Sequence, residues 1–166
     1  MSKNKILIIG SSNTDMVIKA AKIPVPGETI LGGSFLMNPG GKGANQAVAA
    51  ARLEGKVTFI TKSGNDLFGN QAIALFMKEG IDISYVVKDT DLPSGVALIT
   101  VDSSGENSIV VAPGSNGNLL PDDIPSTLFE RDKYRILLLQ LEIPIGTVEY
   151  SAISASTNGV KVILNP

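Results

Sequence analysis

The sequence predicts a doubly wound α/β domain, with parallel strands flanked by helices and a small β-sheet element inserted. Two observations lead there. Four short, continuous apolar runs, Lys5–Gly10, Val57–Thr61, Arg135–Leu139 and Val160–Leu164, have the Ile/Leu/Val character of strands covered on both faces. Segments with helical spacing lie between them, and strands alternating with helices build a parallel sheet.

Each element has a local reason. Ala44, Ala47, Val48 and Ala51 recur at helical spacing and form a narrow face suited to close packing. A second helix is expected from about Phe68 to Glu79, with Ile73, Phe76 and Met77 on one side and Gly80 as its C-terminal cap. A third is expected over Gly146–Ser156, with Val148, Ala152 and Ala155 inward and Gly159 beyond its end. Two stretches break the alternation. Met16–Phe35 reads as extended chain punctuated by Pro24, Pro26 and Gly27. Gly95–Val101 and Ser108–Ala112 flank Asp102-Ser103-Ser104-Gly105-Glu106-Asn107, a hairpin signal. Together these stretches read as one small antiparallel element. The whole chain, residues 1–166, reads as one unit, with the inserted segments at about 16–35 and 94–112. The strand over Val160–Leu164 is followed by only two residues. A buried parallel strand usually feeds another connection, so the sheet reads as cut short; the alternative is a terminal strand that needs nothing after it.

Composition narrows the chemistry. The chain has no Cys and no His, so thiolates, imidazole bases and the usual zinc ligands are unavailable, and no metal site is expected. Lys and Arg total 14 against 16 Asp and Glu; without a basic stripe, a nucleic-acid partner is not expected. The first apolar run, Ile6–Ile9, is too short for a signal peptide or membrane span, so no membrane partner and a cytoplasmic location are expected.

Open α/β sheets bind ligands beyond the carboxyl ends of their strands. Three polar sets fall there: Ser11-Ser12-Asn13-Thr14-Asp15, Gln140-Leu141-Glu142 and Gly40-Gly41-Lys42-Gly43-Ala44-Asn45. Carboxylates accept, carboxamides do both, and glycine amides at a helix start donate at close range. Such a set suits vicinal hydroxyls. A polyphosphate would want several cations, and only Lys42 is present. Simpler roles stand beside this one. Asp15 could form a turn, Glu142 could serve a helix N-terminus ahead of Pro144, and Gly40-Gly41 could be only the turn before a helix. Asp66 reads as an N-cap, and Asp102 and Glu106 as solvated turn residues. Nucleotide cradles fail on inspection. A P-loop needs Ser or Thr where Gly43 stands and Gly where Leu36 stands; dinucleotide fingerprints from Gly41 or Gly10 meet Gln46 or Ser12 where glycine belongs.

The run Gly40-Gly41-Lys42-Gly43-Ala44-Asn45-Gln46-Ala47-Val48-Ala49-Ala50-Ala51-Arg52 resembles the first signature of the PfkB sugar kinases, in their ribokinase branch. Gly10-Ser11-Ser12-Asn13-Thr14-Asp15, Pro26-Gly27-Glu28-Thr29, Gly64-Asn65-Asp66-Leu67-Phe68-Gly69, Ser94-Gly95-Val96-Ala97 and Gln140-Leu141-Glu142 match in order, over nearly the whole chain. The resemblance implies a ribokinase-like fold with a β-sheet lid that also makes a homodimer, and ATP-dependent phosphorylation of the ribose 5-hydroxyl. It places Asn13, Asp15, Gly41, Lys42, Asn45 and Glu142 on the sugar, with Ala97 and Ile99 as lid contacts. ATP, Mg2+ and a monovalent cation are the implied cofactors. Kinases of this family are roughly twice as long, and their Gly-Ala-Gly-Asp signature with the catalytic aspartate, adenine pocket, Asn-x-x-Glu motif and cation loop have no counterpart here. The resemblance therefore implies the N-terminal portion of such a kinase, truncated, with no catalytic residue in this chain and no activity of its own. A non-catalytic sugar-binding or dimerisation module, and a nucleoside or other sugar kinase, are the competing expectations.

Overall fold

The computed structural model describes residues 5–130 and 132–166; the polar start at residues 1–4 lies outside them. In chain order come β1 (Lys5–Ile9), β2 (Asn13–Lys19), β3 (Ser34–Gly40), α1 (Lys42–Arg52), β4 (Lys56–Ile60), β5 (Lys62–Gly64) and α2 (Leu67–Lys78). Then follow β6 (Val87–Asp89), β7 (Gly95–Val101), β8 (Asn107–Ala112), β9 (Ile136–Leu139), α3 (Ile145–Thr157) and β10 (Lys161–Leu164), with three short 3-10 turns between Gly114 and Phe129.

The central sheet has the order β10-β9-β1-β4, and its pairs are parallel. Side chains alternate along each strand, which divides the apolar runs between two cores. Leu7, Ile9, Leu137 and Leu139 pack on one side with Val148 and Ala155 of α3. Ile8, Val57 and Phe59 pack on the other with Ala44 and Ala47 of α1 and Phe76 of α2. Helices thus cover both faces, as the sequence predicts. Phe59 and Phe76 meet edge to face, with centroids 5.2 Å apart; burying each such side chain contributes about 1.5–3 kcal/mol.

The helices follow their local signals with one correction. Ala72 and Phe76 give α2 its inward side, whereas Met77 is 63% exposed. Gly80 and Gly159 have φ of +71° and +75° just past α2 and α3, the left-handed position that ends a helix. Asp66 is the N-cap of α2, accepting from Gly69 N at 2.8 Å. It also accepts from Ser94 N and Oγ at 2.7 and 2.8 Å, so one carboxylate fastens both a helix start and the root of β7.

The inserted element is a mixed sheet, not an antiparallel one. Its order is β3-β2-β7-β8, with β2 and β7 parallel at the centre and β3 and β8 antiparallel outside them. The reason is topological. β2 and β7 both leave the carboxyl edge of the central sheet, side by side, and β3 and β8 return to it. The extended reading of Met16–Phe35 also splits: strand pairing covers Asn13–Lys19 and Ser34–Gly40, and residues 20–33 lie outside the strands. β5 and β6, three residues each, are too short to leave a periodic signal. The last strand, β10, is an edge, and its Ile163 and Leu164 are 39% and 49% exposed rather than covered.

Candidate functional site

In the central sheet β4 lies on one side of β1, while β9 and β10 lie on the other. The order of strands therefore reverses between β1 and β9. At such a switch point the loops after adjacent strands part and leave a crevice at their carboxyl ends. Two of the predicted sets, Ser11–Asp15 after β1 and Gln140–Glu142 after β9, enter this crevice, and the start of α1 closes it.

Glycines make that closure close. Gly41 has φ +90°, which few other residues adopt. A Cβ on Gly43 would stand 2.6 Å from Ser11 N and 2.7 Å from Ser11 O, so only glycine lets the first turn of α1 rest on the turn after β1. Three amides at this helix start are already used. Lys42 N donates to Glu142 Oε2 (2.9 Å), Gly43 N to Ser11 Oγ (3.3 Å) and Ala44 N to Ser11 O (2.9 Å). These three are spent on the fold; the amide of Gly41, the glycine expected to meet a ligand, is not among them. The first of these bonds also shows which helix the Glu142 carboxylate serves. The carboxylate does sit at a helix N-terminus, but at that of α1, 100 residues earlier in the chain, not of α3. Ser11 Oγ donates to the same Oε2 at 2.6 Å. Oε1 accepts from none of the described residues.

Asp15 lies within β2, so the turn role falls away. A Cβ on Gly40 would come within 2.2 Å of the Asp15 carboxyl carbon and both its oxygens; glycine there makes room for the carboxylate. Burial, and secondarily the charge of Glu142, push the Asp15 carboxyl above its ordinary pKa. No hydrogen bond from the described residues offsets that penalty. A part-buried carboxylate that feels the charge of a second carboxylate, with no donor among the described residues, is an unfinished acceptor site.

Asn13 is buried and shares its side-chain oxygen with Asn116, whose Nδ2 donates to it at 2.7 Å. The Asn13 amide nitrogen is left to donate. Asn116 is itself 1% exposed and bonds Ser12 N (2.9 Å) and Ser12 O (3.1 Å). Sequence reading missed Asn116; the one signal was its place in Pro113-Gly114-Ser115-Asn116-Gly117-Asn118, a turn cluster that says nothing about its partners. A cavity of about 520 Å³ opens here, bounded by Asn13, Val111, Asn116, Leu141, Glu142 and Pro144.

The register of the inserted sheet aligns Asp15 with Ala97 and Val17 with Ile99. Paired residues of parallel strands point to the same face, so Ala97 and Ile99 lie on the Asp15 face. Lys42 and Asn45 are exposed at the first turn of α1, and the ammonium of Lys42 forms none of the described ion pairs. Gln140 is different in kind. It is fully buried and donates to Gln46 Oε1, and Gln46 donates to Asn165 at 3.0 Å. It ties β9 to α1 and the end of β10, behind the crevice.

Among the described residues no three His, Cys, Asp or Glu side chains converge, so they present no multidentate cation cage. With one lysine and an occupied helix start, the crevice does not fit a triphosphate either. No helix among them is long and apolar enough to cross a membrane.

Comparison with known proteins agrees with this architecture. The family model for pfkB family carbohydrate kinases matches residues 3–166. The chain is 42% identical over 164 residues to a ribokinase of Haemophilus influenzae, covering 99% of this chain and 54% of that protein. It is 39% identical to a deoxyribokinase of Salmonella typhi, covering 97% and 53%. The ribokinase structure from Giardia lamblia superimposes with a TM-score of 0.89 at 34% identity, over 99% of this chain and 51% of that one. The chain spans about half the length of the curated relatives it matches. With the glycine turn, the strand-end carboxylates and the mixed sheet all in one matched span, this chain belongs to the pfkB family of carbohydrate kinases.

Proposed function

We propose that the crevice binds a pentose, ribose first among them, and that the chain supplies the sugar-holding part of a ribokinase-type reaction. The observation that carries this reading is Asp15, a part-buried carboxylate within the field of Glu142 and with no donor among the described residues. Two adjacent sugar hydroxyls can donate to its two oxygens, Glu142 Oε1 can accept a third, and the Asn13 amide can donate in return. Gly41, Lys42 and Asn45 complete the rim at the start of α1, and Ala97 and Ile99 form an apolar cover from the inserted sheet, which acts as the lid. The lid comprises segments about 16–35 and 94–112, extended in this reading to the full strands. The residues fix the sugar and keep water from it; a bound ATP would supply the phosphoryl group for the 5-hydroxyl. Neither that nucleotide nor its Mg2+ and monovalent cation has a fitting set of groups here, so no transfer step is assigned to this chain. As an ATP-dependent sugar kinase component it would work in the cytoplasm.

Calorimetric titration with ribose tests the reading: saturable one-to-one binding is expected, weaker for 2-deoxyribose if Asp15 spans two adjacent hydroxyls. A coupled assay is expected to find no ribose-dependent ADP release by these 166 residues. Absence of any sugar binding by the folded chain overturns the site, and turnover overturns the division of labour.

The inserted sheet also supports a homodimer. Its alternation leaves Ile18, Phe35, Met37, Leu98 and Val110 exposed on one face, and Leu36, Ile109 and Val111 on the other. Exposed apolar area of this extent marks an association surface. Light scattering is expected to give twice the chain mass; a monomer at micromolar concentration overturns this assembly.

A further inference from the structure

The amino edge of the central sheet, opposite the crevice, carries a concentration of positive charge that the sugar reading does not use. β4 begins at Lys56, β1 at Lys5 and β10 at Lys161, and Arg135 stands immediately before β9. All four are exposed. Neighbouring strands lie about 4.8 Å apart, so these cations form a rim along one edge of a chain whose net charge is −2. Lys5 and Lys56 are direct cross-strand partners. Like charges in that position repel, and neither lysine joins any ion pair among the described residues.

Against this pair opens a cavity of about 500 Å³, bounded by Lys5, Lys56, Lys133, Thr58, Asp82 and Tyr134. Its polar groups are held in place. The Tyr134 hydroxyl donates to Thr58 Oγ1 at 3.0 Å, and Thr58 Oγ1 donates to Asp82 Oδ2 at 3.2 Å. Ser84 N and Oγ donate to Asp82 Oδ1 at 3.0 and 2.6 Å. The one carboxylate in the wall is thus engaged by its own neighbours on both oxygens. Lys133 sits 3.4 Å from Glu130 in a partly exposed pair. Asp82 keeps its negative charge, with both oxygens turned to its own neighbours, and Lys5 and Lys56 outnumber it at the mouth.

We propose that this cavity is a second ligand site, for a small phosphate-bearing anion. Two lysines outside every ion pair among the described residues supply the attraction, and an oxyanion between them removes the repulsion that their register imposes. A volume near 500 Å³ is that of a small-molecule pocket, larger than a bare phosphate needs, so the ligand is a phosphorylated metabolite rather than inorganic phosphate. The site lies a strand length, about 17 Å, from the sugar crevice, so ligand and sugar occupy it and the crevice independently.

Nitrogen-15 correlation spectra of the full chain test this, titrated with inorganic phosphate and with ribose 5-phosphate, at constant ionic strength against a chloride control. The expected result is saturable shifts confined to the amides around Lys5, Lys56, Thr58 and Tyr134, with tighter binding of ribose 5-phosphate. Equal affinity for the two anions would leave a bare phosphate site and overturn the metabolite assignment. The K5Q/K56Q double variant is expected to weaken binding about tenfold or more, as loss of a charge-assisted contact does. Should that variant lose its dispersed spectrum, K56Q alone, at an exposed strand start, carries the test with an expected loss of about threefold. Shifts that do not saturate, that chloride reproduces, or that centre on Asp15 and Glu142 overturn the site. So does an oligonucleotide that binds more tightly and extends the shifts to Arg135 and Lys161, because the rim would then be a polyanion surface.

Discussion

Replacing Asp15 by asparagine is expected to make the sugar-free protein more stable at neutral pH while weakening ribose binding by roughly thirtyfold or more. The two effects have one cause. Burial and the charge of Glu142 raise the Asp15 pKa in the folded state, so ionised Asp15 opposes folding. A carboxyl whose folded pKa lies above its unfolded value stabilises the fold only while protonated. The penalty is therefore absent below the ordinary aspartate range, grows as pH rises from that range to the raised value, and is full above it. Asparagine has nearly the same shape and no charge, so it removes the penalty. Thermal melts should then show the variant above the parent at pH 7, with the gap closing in acid. Sugar binding should move the other way, because two charge-assisted hydrogen bonds become neutral ones; at about 1 kcal/mol lost per bond, that is the thirtyfold. For the same reason, ribose affinity of the parent should fall as pH is lowered through the raised Asp15 value, above the range of an ordinary carboxyl. Equal ribose affinity in parent and variant would remove Asp15 from the site, and a variant less stable at pH 7 would remove the electrostatic argument.

Asn116→Ala should be among the most damaging single changes in the chain, though the residue touches no proposed sugar contact except through Asn13. The asparagine satisfies Ser12 N, Ser12 O and Asn13 Oδ1 from a fully buried position. Alanine leaves all three without partners in a place too confined for full hydration. Buried groups left unpaired cost about 1–3 kcal/mol each, so a loss of about 3 kcal/mol or more is expected. For a domain of this size that lowers the melting temperature by roughly 6–12 °C. Sugar affinity should fall with it, because Asn13 loses the bond that fixes its rotamer. Asn116→Asp is the informative companion: it keeps the acceptor for Ser12 N but loses the donor to Ser12 O and Asn13 Oδ1 and buries a carboxylate against both oxygens, so at neutral pH its stability loss should be at least as large as alanine's, easing in acid, and its binding loss nearly complete. A variant with parental stability and affinity would show that water replaces the side chain and that Asn116 positions nothing.

Much of the fold is readable along the chain because its signals are local. Continuous apolar runs, helical spacing of small residues, an Asp before a helix and a Gly after one each act within a few residues of themselves. That is why β1, β4, β9, the three helices, the cap at Asp66 and the ends at Gly80 and Gly159 stand where the sequence puts them. The direction of β7 against β2 is not local. It depends on where two distant segments leave the core, and nothing in Gly95–Val101 itself distinguishes a parallel neighbour from an antiparallel one.

The crevice divides in the same way. Residue types and motif order suffice to nominate Asn13, Asp15, Gly41, Lys42, Asn45 and Glu142, with Ala97 and Ile99 on one strand face. The amino-acid sequence by itself also determined the doubly wound class and the failure of the nucleotide cradles, since these rest on spacing alone. Only the tertiary structure decided what each group is free to do. It spent the amides of α1 on Ser11 and Glu142, brought Asn116 across 103 residues to hold Asn13, and set Asp15 within the field of a second carboxylate with no donor among the described residues. Hydrogen-bond satisfaction and desolvation depend on which atoms meet in space, and those meetings join residues from 32 to 131 positions apart.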